Sequence, residues 1–305
     1  MKLFFHNLLV LCALILGLAL PGQAANTAAP AAPESWRDLG AFAVLPLLDG
    51  AGSISLDKFL GPSDAELMQV AGTREVPSAY NVFAIRQGQD YYLVDTGGGD
   101  WLGKRGGLLP EALAAASIPV ERVVKIFITH MHSDHAGGLV KNGHPFFVNA
   151  QVYVSHAEFS YWTNEENMSK LAKPQQTAFA RAHACLVVLE KAGKLVLFEP
   201  NDELLPGLVA WDLAGHTPGH CGFMLSSKGK KLMFIGDLLH GGLVQLPRPD
   251  IVVQYDIDPD KARAVRLRVL AELARDKVPV ASAHLPFPAM GTLLPVGDGY
   301  RFINF

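Results

Sequence analysis

The segment 130–135 reads HMHSDH and places four metal-binding side chains within six residues. Three imidazoles and one carboxylate suit a metal of intermediate softness such as zinc. Side chains at adjacent and alternate positions point in different directions, so they cannot all face a single ion. The spacing therefore favours two metal ions side by side, which can activate water for attack on an electrophilic centre.

The residues that precede this segment form a short apolar, β-branched run, which predicts a buried strand that ends at the first histidine. Three later segments repeat the arrangement and end in, or lead to, a histidine or an aspartate. They are GHTPGH at 215–220, KLMFIGD at 231–237 and VPVASAH at 278–284. Because strand ends and their loops gather to form active sites, we expect these segments to converge on one site.

The rest of the chain is predicted to supply two sheets and their covering helices. Residues 41–48 and 53–56 read as strands around a hairpin turn at Asp49-Gly50, and 80–86 and 91–94 read as a second strand pair. Helices are predicted after Pro110 and from Pro259, where a capping aspartate precedes the proline. Strands with interspersed amphipathic helices predict an α/β fold, an αββα sandwich with two sheets packed together and helices outside.

The N-terminal residues carry the pattern of a secretory signal peptide. Residues 1–24 combine an early lysine, an apolar run over 8–20 and small residues before Ala24. We predict cleavage after Ala24 and a periplasmic or secreted protein without a stable membrane anchor. An Ala/Pro-rich linker over 25–40 and one globular domain over 41–305 would follow.

The composition supports one large domain and argues against a nucleic-acid partner. Of the 305 residues, 50% are hydrophobic and 18% are charged, with a formal net charge of −3. No basic block is present, so a nuclease lacks its usual electrostatic footprint. Cleavage would leave Cys185 and Cys221, which either pair in an oxidising compartment or remain two buried thiols.

Together, these motifs resemble the metallo-β-lactamase superfamily, whose signature is HxHxDH followed by a distant His, Asp and His. The resemblance is closest to the methyl parathion hydrolase group, which is related to the quorum-quenching lactonases. It runs from about Phe42 to the C-terminus. It also includes VDTG at 94–97, VQLPRP at 244–249 and AHLPFP at 283–288.

The resemblance implies two divalent metal ions, with zinc as the expected metal, and fills every ligand position. One ion would be held by His130, His132 and His216, which we call site A. The other would be held by Asp134, His135 and His284, which we call site B. Asp237 would bridge the two ions, and the carboxylates Asp134 and Asp237 are the predicted catalytic residues.

Two further polar residues are assigned supporting positions. Asp95, in the VDTG segment, is expected to orient a ligand histidine by a hydrogen bond. A strand-end turn aspartate is the alternative. His220 is expected to pack or to hydrogen-bond nearby rather than to bind metal.

The predicted substrate pocket has an apolar wall. Trp101, Trp162 and Phe179 are its candidate residues, with ordinary helix packing as the alternative. His240 is expected to line the pocket, although the methyl parathion hydrolases carry an aliphatic residue at the matching position. An aromatic pocket without an Arg/Lys cluster favours small, neutral, apolar substrates.

These features predict an exported dinuclear hydrolase that uses a metal-bridging hydroxide on lactones or aryl esters, with phosphotriesters as further substrates. An organophosphate hydrolase of the methyl parathion type is the main alternative. A β-lactamase is disfavoured because those enzymes generally lack the carboxylate found here at Asp237. A non-catalytic zinc-binding protein would be expected to lose ligands, and none is lost. The resemblance also implies a homodimer.

Overall fold

Two seven-stranded sheets form the centre of the protein in a computed structural model that describes residues 35–305. The predicted signal peptide, its cleavage position and the linker up to residue 34 lie outside the described residues. The last part of the predicted linker already belongs to the domain, because Arg37–Leu39 forms a strand that pairs with the next one.

The strands of the described part, in chain order, are β1 (Arg37–Leu39), β2 (Phe42–Ser55), β3 (Phe59–Leu60), β4 (Glu75–Gln87), β5 (Asp90–Val94), β6 (Val123–Phe127), β7 (Val140–Lys141), β8 (His144–Pro145), β9 (Gln151–Ser155), β10 (Leu195–Phe198), β11 (Glu203–Leu205), β12 (Leu208–Asp212), β13 (Cys221–Ser227), β14 (Lys230–Phe234), β15 (Val252–Val253), β16 (Val280–Ala281), β17 (Met290–Val296) and β18 (Gly299–Asn304). The α-helices are α1 (Asp64–Ala71), α2 (Leu109–Ala115), α3 (Ser133–Ala136), α4 (His156–Thr163), α5 (Glu165–Ser169), α6 (Lys173–Lys191), α7 (Gly242–Gln245) and α8 (Pro259–Arg275).

The first sheet has the strand order β1-β2-β4-β5-β6-β9-β10, and the second has the order β11-β12-β13-β14-β16-β17-β18. Large apolar side chains from both sheets meet between them. Phe127 of the first sheet lies 5.8 Å from Phe223 of the second, and Phe83 lies 5.5 Å from Phe234, measured between ring centroids. This buried layer joins the two sheets into a sandwich.

Helices cover the outer face of each sheet. Residues of α2, α4 and α6 pack with the first sheet in one buried cluster, and residues of α8 pack with the second sheet in another. The predicted αββα sandwich is therefore confirmed.

The strand topology brings the ligand segments together. Strand β6 lies between β5 and β9 and runs parallel to both. The HMHSDH segment therefore leaves the sheet at the carboxyl end of β6. In the second sheet β14 and β16 are parallel neighbours, with Phe234 paired to Ala281. The aspartate and histidine that follow these two strands must therefore emerge side by side.

One predicted turn is wrong. Strand β2 continues through Asp49 and Gly50, and the register shifts there, which marks a bulge. The Asp49 carboxylate is buried and accepts hydrogen bonds from the backbone of Gly98, Gly107 and Leu109. Asp49 therefore accepts hydrogen bonds from a neighbouring loop inside the protein, although the Asp-Gly pair is typical of a surface turn.

Other element predictions are confirmed. Strands β4 and β5 form the predicted pair, and α8 begins at Pro259. Helix α2 is present but begins at Leu109, one residue before Pro110. The Asp258 side chain caps α8 by accepting from the Lys261 backbone at 3.0 Å.

Both remaining cysteines are free and buried. Burial raises the pKa of the Cys185 thiol to about 12 and also raises that of Cys221. The structure therefore favours two inert thiols over a disulfide. Over residues 35–305, no helix has the length and apolar character required to cross a membrane.

Candidate metal centre

The predicted ligands meet in one buried cluster at the edge between the two sheets. His130, His132, His216 and Asp237 form one group, and Asp134, His135 and His284 form another; in each, the possible ligand atoms lie within 4.8 Å of one another. The first group is the predicted site A together with Asp237, and the second is the predicted site B; Asp237, His240 and His284 form a third such group. The assignment of each side chain to an ion remains a prediction.

In site A, His132 presents a different ring nitrogen from its neighbours. Its Nδ1 lies 3.0 Å from His130 Nε2 and 2.9 Å from His216 Nε2. Three imidazole nitrogens therefore converge on one point, although they come from two loops. This is the nitrogen-rich arrangement that zinc prefers.

Site B combines two imidazoles with a carboxylate. His284 Nε2 lies 3.5 Å from Asp134 Oδ2, and His135 Nε2 lies 3.8 Å from the same oxygen. Asp134 and His135 come from the short helix α3, whereas His284 follows β16 in the other sheet. Site B is therefore formed by residues that follow strands of both sheets.

Asp237 stands between the two sites and divides its oxygens between them. Its Oδ1 lies 2.9 Å from His135 Nε2 and 3.1 Å from His284 Nε2, in site B. Its Oδ2 lies 3.2 Å from His216 Nε2 and 3.6 Å from His130 Nε2, in site A. This is the placement needed for one carboxylate to bridge two ions.

The backbone around Asp237 is fixed by His220. The Asp237 N–H donates to His220 Nε2 at 3.1 Å, and His220 Nδ1 lies 3.1 Å from the Leu213 carbonyl. Gly236 has a φ of 48°, and a side chain there would lie 2.5 Å from His220 Nε2. The prediction that His220 forms hydrogen bonds nearby is confirmed by these contacts.

Each ligand histidine that uses Nε2 has a partner on its Nδ1. His130 faces the Thr129 hydroxyl at 3.1 Å, and His135 faces Asp95 Oδ2 at 2.8 Å. His216 faces Asp256 Oδ1 at 2.9 Å, and His284 faces the Ala79 carbonyl at 2.9 Å. Such partners fix the ring and leave the other nitrogen free for a metal. The predicted contact of Asp95 with a ligand histidine is confirmed.

Sequence reasoning missed Asp256 and the residue behind it, Arg266. Arg266 is fully buried and donates to the carbonyls of Leu238 and Ile251 at 2.7 Å each; its Nη2 lies 3.5 Å from Asp256 Oδ2. One guanidinium therefore supports both the partner of His216 and the residue after Asp237. The available signal was a charged residue on the apolar stripe of α8, four residues after Ala262.

The pKa values of the clustered side chains depend on burial and on the carboxylates of Asp237 and Asp256. Burial lowers the pKa of His132 to about 3, which leaves its ring neutral. Burial also opposes protonation of His216, but hydrogen bonds with Asp237 and Asp256 outweigh it and raise the pKa to about 9. The surrounding histidines hold the pKa of Asp237 well below its usual range despite its burial.

The donor set fits metal ions better than a hydrogen-bonded network. His135 Nε2 and Asp237 Oδ1 are both buried, and neither forms a well-aligned hydrogen bond within the described residues. Buried polar atoms are normally satisfied. These two atoms lie in a cluster of five imidazoles and two carboxylates. Bound cations would satisfy the hydrogen-bonding capacity that they leave unused.

The predicted pocket residues lie at different depths. Trp162 is 3% exposed, and its ring lies 5.7 Å from that of His132. Phe179 is 0% exposed and packs behind Trp162 at 5.1 Å, so it supports the wall and has no free face for a substrate. Trp101 lies partly buried against the same helical core, on the short turn Gly99–Trp101.

His240 lies closer to the reacting region than a pocket lining requires. Its Nε2 is 3.1 Å from Asp237 Oδ2, and its ring stacks on His284 at 5.4 Å. Neither ring nitrogen has a hydrogen-bond partner within the described part of the chain. It is therefore an eighth polar side chain of the cluster.

The fold and this centre define a class. The Metallo-beta-lactamase superfamily profile matches residues 76–284, and the chain belongs to this superfamily. It is a metal-dependent hydrolase of that family.

The chain is similar to several solved structures over most of its length. The hydrolase AbOPH of the β-lactamase superfamily is 30% identical with a TM-score of 0.84, covering 90% of this chain and 98% of its own. AidC, a dizinc quorum-quenching lactonase seen with N-hexanoyl-homoserine, is 26% identical with a TM-score of 0.81, covering 89% and 97%. A probable metal-dependent hydrolase from Staphylococcus aureus is 20% identical with a TM-score of 0.70, covering 88% and 98%. No curated protein matches the chain by sequence.

Proposed function

We propose that this protein is an exported dinuclear zinc hydrolase that opens lactones or cleaves aryl esters, with phosphotriesters as secondary substrates. The observation that carries the proposal is the division of Asp237 between the two sites, Oδ1 toward site B and Oδ2 toward site A. The likeness to a dizinc lactonase over most of both chains supports the substrate class.

When bound, two such ions supply a water-derived nucleophile at neutral pH and stabilise negative charge on oxygen. The chain's own residues hold the geometry for this. Asp95, Asp256 and the Ala79 carbonyl fix three ligand rings, and His220 fixes the backbone of Asp237. With such a nucleophile no serine or cysteine nucleophile would be needed, and the two cysteines of the described residues, Cys185 and Cys221, are buried.

The walls of the site support a neutral substrate with an apolar part. Trp162 lies edge-on to His132 of site A, and Tyr255 lies 6.1 Å from the ring of His240. Aromatic faces beside a metal centre favour burial of acyl or aryl groups, whereas an anionic substrate would call for nearby cationic side chains.

The decisive experiment compares two substrates in one preparation of zinc-reconstituted protein. We expect kcat/KM for a long-chain acyl-homoserine lactone to exceed that for an aryl dialkyl phosphotriester. A ratio that favours the triester would replace the lactonase proposal with an organophosphate hydrolase. Turnover of neither substrate by protein that holds two zinc ions would overturn both.

An organophosphate hydrolase is the second candidate because the sequence motifs of this chain also resemble the methyl parathion hydrolase group. His240 is the residue that separates the candidates, since its Nε2 lies 3.1 Å from Asp237 Oδ2 and the methyl parathion hydrolases carry an aliphatic residue at the matching position. We expect His240→Leu to shift the kcat/KM ratio toward the triester. An unchanged ratio would mean that His240 does not set this preference.

Export is a separate proposal that rests on the sequence pattern of residues 1–24. The full chain should be expressed in a Gram-negative host and the protein recovered from the periplasm. A mature N-terminus at Ala25, read by mass spectrometry, is the expected result. An uncleaved chain in the cytoplasm would contradict it.

A further inference from the structure

Glu158 is a buried carboxylate that the chemistry above does not use. It lies on α4, is 0% exposed, and has no basic side chain within ion-pair distance among the described residues. Both of its oxygens accept hydrogen bonds from neutral N–H groups. An unpaired buried anion is costly, so its retention needs a reason.

Two of the three donors belong to loops that carry ligands of site A. The backbone N–H of Met131 donates to Glu158 Oε2 at 2.9 Å. Met131 stands between His130 and His132. The backbone N–H of Gly219 donates to Oε1 at 3.0 Å, and Gly219 lies in the loop that carries His216. One side chain therefore joins the two loops from which all three histidines of site A project.

The first turn of α4 is docked tightly on the second of these loops. Ser155 caps α4 by accepting from the Glu158 N–H at 3.1 Å, and its hydroxyl donates to the Gly219 carbonyl at 2.7 Å. A side chain at Gly219 would lie 2.3 Å from the Glu158 backbone nitrogen. These close contacts therefore fix the distance between α4 and the loop.

The third donor comes from the pocket wall. Trp162, one turn after Glu158 on α4, donates its indole N–H to Glu158 Oε2 at 2.6 Å. The same indole lies edge-on to His132. The carboxylate is consequently shared between Trp162, which lies against His132, and the loops that carry the histidines of site A.

We propose that Glu158 is a positioning residue of site A, which ties the two ligand loops to each other and to Trp162 without binding an ion itself. This inference rests on the proposed dinuclear function. A carboxylate suits the position because two oxygens are needed for three donors, and because metal ions held by the adjacent cluster would offset its charge. Gln would place an N–H₂ group against one of the donors.

The test measures zinc affinity by competition with a chelator, in two backgrounds that each keep one site. His284→Ala should leave only site A, and His216→Ala only site B. We expect Glu158→Gln to weaken zinc binding about tenfold or more in the first background and to leave it unchanged in the second.

Asp49→Asn is the matched control. Asp49 is also a fully buried carboxylate with three backbone N–H donors, but those donors lie outside the loops of site A. Asp49→Asn should lower the melting temperature and leave the site A affinity at the value of its background. If it weakens site A as much as Glu158→Gln does, the effect is general loss of stability and the inference is overturned.

The remaining outcomes are also decisive. Equal weakening of both sites by Glu158→Gln, or no weakening, would overturn the role of Glu158 while the two-zinc enzyme stands. An unmodified protein that binds no zinc would refute the proposed function itself. If Glu158→Gln does not fold, Trp162→Phe removes one donor and keeps a ring; site A should then weaken by about fivefold, and unchanged affinity would count against the link.

Discussion

Site A and site B lie side by side and share Asp237, yet they are built differently. Site A offers three imidazoles, whereas site B replaces one imidazole with the carboxylate of Asp134. The side chain of Asp134 is 23% exposed, while that of Asp237 is 3% exposed. Site B is therefore richer in oxygen and carries more negative charge.

The hydrogen-bond partners that hold the ligand rings also differ in kind between the two sites. His135 of site B is held by Asp95, at the end of the neighbouring strand β5, and His284 is held by a backbone carbonyl. His216 of site A is held by Asp256, which is backed by Arg266 of α8. His216 of site A therefore relies on a carboxylate that is itself backed by a buried guanidinium, whereas the two histidines of site B rely on one carboxylate and one backbone carbonyl.

The largest expected effect comes from the residue that joins the sites. Asp237→Asn should lower kcat/KM by about three orders of magnitude, on the order of 4 kcal/mol, because an amide bridges two cations poorly. Folding should be checked by circular dichroism, and metal content by elemental analysis. Full activity in a variant that still holds two zinc ions would remove the bridging role.

Replacement of one support at a time should separate the sites. We expect Asp256→Asn to weaken zinc binding at site A and Asp95→Asn to weaken it at site B, each by about 10–100-fold. Chelator competition measures both affinities. Each variant is the control for the other, and identical profiles would show that the two sites load as one unit.

The Asp256→Asn and Asp95→Asn variants should also differ in their free energy of unfolding. Asp256→Asn leaves the buried Arg266 guanidinium without its anionic partner, which costs about 3–5 kcal/mol when a buried pair is broken. Urea denaturation of the metal-free variant should therefore show a larger loss than for Asp95→Asn. A double variant, Arg266→Met with Asp256→Asn, should recover part of it.

Metal preference should follow the ligand types. Because carboxylate oxygen suits manganese better than an all-imidazole site does, Mn²⁺ added to the zinc protein should enter site B first. Electron paramagnetic resonance would detect one bound Mn²⁺ before any second. Preserved Mn²⁺ binding in Asp134→Asn would contradict this order.

The smallest effect concerns pH in the metal-free protein. The pKa of His216 is raised to about 9 by Asp237 and Asp256, against burial, while its unfolded value is about 6.5. The folded state therefore binds this proton more tightly, and the resulting stability is complete below pH ~6.5 and lost as the pH rises to about 9. The melting temperature should fall over that range. Because zinc displaces the proton, apparent zinc affinity at site A should rise over the same range.

Much of the fold and the candidate ligand set could be predicted because the information is local. Each ligand motif directly follows an apolar strand, and parallel strands place their carboxyl ends at one sheet edge. The turn prediction at Asp49 failed because its three hydrogen-bond donors lie about fifty residues away in sequence. Phe179 was placed in the pocket wall because sequence position does not reveal which face of an aromatic ring is covered.

The sequence by itself determined the strand-end ligands, the sandwich class and the cap of α8, since these depend on side-chain type and short-range spacing. Only the tertiary structure decided how Asp237 divides its oxygens, and that Asp256, Arg266 and Glu158 stand behind site A. It also brought His240 to within 3.1 Å of Asp237. Hydrogen bonds between residues remote in the chain depend on how sheets and helices pack, and no spacing in a single sequence encodes that packing directly.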